Sequence, residues 1–149
     1  MAEARELYDT DILIWSEQQA TLLRRVAAGE RVNSPELDWP NIIEEVESVG
    51  LNELHAVESL LLQALIHMLK TEAWPQSPAV PGWKAEARIF RLQARRRFSP
   101  SMRQRIDLAG LYADALAGLP ESVDGQLPRP IAEKCPLTLD ELLAEGQPR

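Results

Sequence analysis

From Asp38 to Trp74 the chain reads DWPNIIEEVESVGLNELHAVESLLLQALIHMLKTEAW, and after Pro40 no proline occurs until Pro75. Proline disfavours helical geometry at the residue before it and suits the first helical turn, so Pro40 marks a helix start with Asp38 placed to satisfy the free amides. A helix from there to Ala73 would be about 50 Å long at 1.5 Å rise per residue. A glycine can end one helix and an asparagine can cap the next, so Gly50-Leu51-Asn52 predicts a kink or short interruption. Any fold for this chain must pack around that stretch.

The remaining segments also read as helices. Asp9 is the expected N-cap of a helix carrying Ile12, Trp15, Gln19, Leu22 and Val26 on one seam, with Tyr8 and Leu13 as a hydrophobic staple. Gly29 stands where a C′ residue belongs, and Asn33-Ser34-Pro35 marks a loop. Prolines 75, 78 and 81 make residues 75–82 a semi-extended linker. Trp83, Ala87, Phe90, Ala94 and Phe98 then share a helix face, beside Lys84, Arg88, Arg91 and Arg95. Ser99-Pro100 starts a fourth helix over about residues 101–117, and Gly118 and Pro120 close it. Residues 119–137, rich in Pro and Gly, are expected to wrap the bundle as a strap. Thr138-Leu139-Asp140-Glu141 is a capping box before a short last helix over residues 139–145. No stretch alternates as a strand does. The expected class is all-α: an antiparallel helical bundle of four to five helices with a Pro-rich linker and a short C-terminal helix. A single domain over residues 8–145 is expected, with 1–7 and 146–149 as flexible tails.

Composition removes several classes of function. The 149 residues are 45% hydrophobic and 26% charged, ordinary for a globular domain. No apolar run approaches membrane length, and the acidic start MAEARELYDTD lacks a signal pattern, so the expected location is cytoplasmic. Cys135 is a lone cysteine, which excludes an internal disulfide. The formal net charge of −7 opposes general nucleic-acid binding, but the charge is segregated. Residues 36–58 hold seven acidic side chains and no Lys or Arg, whereas residues 84–105 hold eight basic side chains against Glu86. Two such runs can face each other within one fold.

The informative residues are polar ones at positions where periodicity predicts burial. Leu54, Glu58, Leu61, Leu65 and Met68 form one stripe, and Glu47 flanks Ile42, Ile43, Val46 and Val49. A buried carboxylate needs a partner or takes up a proton. Arg91 is the expected partner of Glu58, with Gln19 as a hydrogen-bonding neighbour. Asp11, in the first turn of its helix, is expected to stabilise the helix dipole. His67 reads as a packed, hydrogen-bonded side chain and His55 as exposed. The candidate polar network is therefore Asp11, Gln19, Glu47, Glu58, His67 and Arg91. Glu58 and His67 are nine residues apart and off one another's face, and no Glu-x-x-His pattern occurs, so no metal site is expected. No phosphate-cradling glycine loop, G-x-S-x-G elbow or H-E-x-x-H motif is present.

Several motifs together carry a resemblance. They are Tyr8-x-x-Asp11-x-x-x-Trp15-x-x-x-Gln19 with Leu22-Leu23-Arg24, Leu37-Asp38-Trp39, Glu44-Glu45-x-Glu47-Ser48-x-Gly50, Glu58 and His67-x-x-Lys70. Trp83, Arg91, Ser99-Pro100-Ser101-Met102-Arg103, Tyr112-x-Asp114-Ala115 and Cys135-Pro136-x-Thr138-Leu139 follow in order. In these the chain resembles the bacterial and cyanobacterial family catalogued as "domain of unknown function 29", over roughly residues 8–143. Ala87 departs from it, standing where the family tends to have a larger apolar residue. The resemblance implies an all-α bundle and no activity.

The leading reading is a non-catalytic protein-interaction module, without cofactor, whose partner is another protein or a second copy of the chain. A small-ligand or metal-dependent site built from Glu47, Glu58, His67 and Arg91 is the second. Nucleic-acid binding through Lys84, Arg88, Arg91 and Arg95 is the third. The membrane is not an expected partner.

Overall fold

The computed structural model describes residues 3–146. Among them are six α-helices and two 3-10 helices, with no strand beyond an isolated bridge between Val123 and Gln126. Among the described residues no helix is long and apolar enough to cross a membrane. The chain divides into two compact units between Leu51 and Asn52.

The first unit holds α1 (Ala4–Thr10), α2 (Ile12–Ala27), a 3-10 turn at Ser34–Glu36 and the first part of α3 (Trp39–Ala73). Residues 4–7, expected as part of a flexible lead-in, are helical because Leu7 and Tyr8 pack against the small core of Trp15, Leu37 and Ile42. The expected cap at Asp9 is also corrected. Asp11 breaks the backbone between α1 and α2 and accepts a hydrogen bond from the Ile14 amide at 3.1 Å. Leu13 is exposed, so no staple forms with Tyr8. Gly29 takes the positive φ of +83° expected after the helix. Tyr8 meets Trp15 edge-on at 4.9 Å and donates its hydroxyl to Glu45 at 2.6 Å. That hydrogen bond, followed by burial, pushes the Tyr8 phenol up to about 12.

The expected interruption at Gly50 does not occur: α3 runs 35 residues unbroken. A single glycine lowers helix stability by about 1 kcal/mol relative to alanine. Flanking turns that propagate on both sides outweigh that, because extending a formed helix is far easier than nucleating a second one. The signal in the sequence marks instead the division between the units.

In the second unit α3 pairs with α4 (Val80–Arg97). Glu53 meets Arg97, His67 meets Glu86, and Lys70 lies over the Trp83 ring, so residue order reverses and the pair is antiparallel. Helix α4 begins three residues before Trp83, with Pro81 in its first turn, which shortens the expected linker. Its Ala87 and Ala94 are buried, as the periodicity predicts. The expected fourth helix is two elements: a 3-10 helix at Pro100–Gln104 and α5 (Leu108–Ala117), which starts afresh where Asp107 accepts from the Gly110 amide.

The strap over residues 119–137 is tied down by long-range hydrogen bonds. Trp74 donates to the Gln126 carbonyl, the Arg129 amide to Ala73, and the Tyr112 hydroxyl to Ala132. The strap delivers α6 (Leu139–Leu143), opened by the expected Thr138–Glu141 capping box. Leu142 and Leu143 enter the main core with Val57, Leu61, Leu65, Ala94, Tyr112 and Ala115. Of the expected tail at 146–149, residues 147–149 lie outside the described residues.

Arg91 holds α6 in place. It is 4% exposed, and its guanidinium donates to four backbone oxygens: Leu142 at 2.8 Å, Gly146 at 2.7 Å, Ala144 at 2.8 Å and Glu141 at 3.3 Å. Arg95 adds bonds to Leu143 and Ala144. Burial, and then the Arg95 charge, lower the Arg91 pKa from its ordinary value. The expected Arg91–Glu58 pair is corrected: Glu58 is half-buried and Arg91 spends its donors on carbonyls.

Two outcomes follow. Removing the guanidinium strands buried carbonyls, so Arg91→Ala is expected to destabilise the chain by about 3–5 kcal/mol in denaturant unfolding, and Glu58→Gln by under about 1 kcal/mol. For Tyr8, a folded-state pKa above the unfolded value gives stability that is complete below about pH 10 and lost as pH rises toward about 12. Alkaline unfolding of the parent should therefore show a component across that window that Tyr8→Phe lacks.

Candidate functional site

The polar residue flagged on the α2 seam leads to the most constrained polar cluster in the chain. Trp15 and Gln19, one turn apart, are the buried residues of α2. The Trp15 indole donates to Asp38 Oδ2 at 3.1 Å. Gln19 uses both ends of its amide: Oε1 accepts from the Asp38 backbone amide at 2.8 Å, and Nε2 donates to the Glu36 carbonyl at 3.1 Å. Gln19 thus fastens the residues that lead into α3 and keeps the Asp38 carboxylate against Trp15.

Asn41, one turn into α3, donates to the same Asp38 Oδ2 at 2.7 Å. The Asp38 side chain is 0% exposed. Its second oxygen, Oδ1, has no hydrogen-bond partner among the described residues. The neighbouring cation is Arg5 of α1, whose Nε stands 3.8 Å away on a side chain 74% exposed. Asp38 and Arg5 form part of the wall of an open cleft of about 950 Å³, together with Gln19, Glu3, Glu17 and Glu36.

The six residues expected to form one polar network are not brought together, and four of them find separate partners. Asp11 caps α2. Gln19 bonds to Glu36 and Asp38, not to an arginine. Glu47 is exposed and Glu58 half-buried. His67 Nδ1 donates to the Gln63 carbonyl at 2.7 Å and Nε2 meets Glu86 at 2.6 Å, with Phe90 against the ring. Arg91 caps α6. Among the described residues no three His, Cys, Asp or Glu side chains converge as a metal-binding group. The basic face is also divided: Arg91 and Arg95 are engaged with carbonyls, while Lys84 and Arg88 are exposed.

The sequence marks Asp38 as a helix cap and Glu86 as the acid within the basic run, and neither as a member of a polar cluster. Gln19 was the signal for the first, since a buried amide demands partners; its partners are backbone groups, which leave no mark in a side-chain pattern. Glu86 sits on the face of α4 that meets His67 only once the antiparallel register of the two helices is known.

A second feature lies on α3. The seam that buries Leu54, Val57, Leu61 and Ala64 continues toward the N-terminus through Gly50, Val46, Ile43 and Trp39 at the same helical spacing. On that continuation Val46 is 70% and Ile43 55% exposed, with Val49 and Trp39 also exposed beside them. Glu44 and Glu47 are exposed on its border.

The arrangement of helices has a counterpart among solved structures. An α-helical protein of unknown function from Rhodospirillum rubrum aligns with a TM-score of 0.62 and 24% sequence identity, over 93% of this chain and 89% of that one, which is a likeness of fold. No curated protein matches the chain. A family model, however, matches residues 7–146, from α1 through the carbonyl that receives Arg91 beyond α6. The chain therefore belongs to the family described as Domain of unknown function DUF29.

Proposed function

We propose that the protein is a non-catalytic interaction module whose exposed α3 seam receives a basic amphipathic helix of another protein. The observation that carries this reading is the continuation of one apolar seam from a buried stretch, Leu54 to Ala64, into an exposed one, Trp39 to Val49. An apolar seam at helical spacing on a preformed helix is the surface into which a second helix packs. Contiguous exposed apolar surface of this kind marks interaction sites far more often than scattered single residues do.

Charge selects the occupant. No Lys or Arg occurs between Arg31 and Lys70, and Glu44, Glu47 and Glu53 flank or interrupt the seam. Two copies meeting through this face would set glutamate against glutamate, whereas a helix with Lys or Arg beside its apolar stripe complements it. Opposite charges at the rim raise the association rate and set partner choice, while the valines and Ile43 supply the buried area.

The test uses a labelled helical peptide with leucines at helical spacing and lysines on its flanks, and a sister peptide with glutamates replacing the lysines. Saturable binding of the basic peptide, weakened by salt and absent for the acidic one, is expected by fluorescence anisotropy. Val46→Glu should reduce its affinity at least tenfold, or about 1.4 kcal/mol. Equal binding of both peptides, or a dimer in sedimentation that Val46→Glu dissolves, overturns the assignment of a basic partner.

A further inference from the structure

We infer that the cleft beside Asp38 binds a small organic cation bearing N–H donors, a primary ammonium or a guanidinium, which displaces Arg5 and donates to Asp38 Oδ1. This inference is independent of the α3 seam. A carboxylate buried completely is held there at a desolvation cost unless its acceptor sites are filled. At Asp38 the two donors, Trp15 Nε1 and Asn41 Nδ2, both go to Oδ2, and Gln19 fixes the backbone amide. Oδ1 is buried with its acceptor capacity unused among the described residues. Its carboxylate is positioned, and so is its need for a donor.

Arg5 does not meet that need. At 3.8 Å its Nε is within ion-pairing range and beyond hydrogen-bonding range, and its side chain is mostly in solvent. A pair so exposed is weak, so a cation that reaches Oδ1 directly can replace it. The cleft is about 950 Å³, at the upper end of small-molecule sites, and both residues line it. Glu3, Glu17 and Glu36 lie on the same wall, and among the described residues Arg5 is the sole basic one there. The field in the cleft therefore opposes anions and draws cations. N–H donors are required because Oδ1 lacks a hydrogen bond and not merely a countercharge.

The indole N–H of Trp15, bonded to the same carboxylate, is a local reporter. Agmatine, which carries both cationic groups, is titrated into isotopically labelled full-length protein while the indole resonances are followed by NMR, with Trp15→Phe identifying the relevant signal. The expected result is a saturable shift of the Trp15 indole that tetramethylammonium at equal ionic strength does not produce. Arg5→Ala, on an exposed side chain, should tighten agmatine about threefold by removing the competing cation, and Asp38→Asn should abolish binding. Should Asp38→Asn fail to fold, Arg5→Ala and the tetramethylammonium control still decide the matter. An unshifted Trp15 resonance in both parent and Arg5→Ala, an equal response to tetramethylammonium, or unchanged affinity in Arg5→Ala overturns the assignment. A capped arginine tripeptide binding more than tenfold tighter than agmatine would give the cleft to a protein side chain instead and overturn the small-molecule assignment.

Discussion

A buried guanidinium with carbonyls for company is the constraint on which the second unit depends. Helix α6 is five residues long, too short to persist in water by its own hydrogen bonds. Its last carbonyls point away from the capping box that opens it, and they carry the negative end of the helix dipole. Arg91 answers both conditions, because its planar fork supplies several donors and a charge that neutral carbonyl dipoles stabilise. The arrangement differs from a buried ion pair: desolvating Arg91 is offset by four charge-assisted bonds, and no carboxylate has to be desolvated with it. Once α6 is seated, Leu142 and Leu143 complete the core around Leu61 and Ala94, and the strap is fixed at both ends.

The first unit meets a different difficulty. Its buried apolar core is Trp15, Leu37 and Ile42, too little to set the position of three short elements by packing alone. Directional bonds supply what area does not. Gln19 holds the Glu36–Asp38 segment, Trp15 and Asn41 hold the carboxylate, and Tyr8 holds Glu45. Such a network has one arrangement in which its donors and acceptors match, so it confers register as well as stability. The same rigidity leaves Asp38 Oδ1 in place without a donor among the described residues, which is why the polar network and the cleft are one feature.

Much of this was legible in the amino-acid sequence. Helical periodicity located α2, α3 and α4, and the capping box at Thr138, which located α6, survives in detail. Gln19 stood out as polar at an apolar position and Arg91 as the expected partner of a buried carboxylate, and both are buried. Their partners were not legible, and for a single reason: they are backbone groups of segments distant in sequence, and a peptide carbonyl looks the same in every residue. Glu58, a side chain with the right charge, was the visible but wrong candidate for Arg91. The errors at Asp9, Gly50 and Ser101 are local. Each is a position where the intrinsic preference is worth about 1 kcal/mol, less than the packing or helix propagation that overrides it.

The segregated charge bears on what the first part of α3 can do. If the acidic and basic runs simply neutralised one another, neither would say anything about partners. Glu53 and Arg97 do join the two runs within the second unit, as an exposed pair. Arg91 and Arg95, however, face the carbonyls beyond α6. Among the described residues those two arginines bond to carbonyls at a helix end and to no carboxylate. Glu44 and Glu47 meanwhile remain exposed beside Ile43 and Val46. In the proposed reading the acidic border disfavours self-association, while a basic helix meets both the charge and the apolar seam. The basic partner proposed above would answer the glutamates beside Ile43 and Val46, all of them in the first unit.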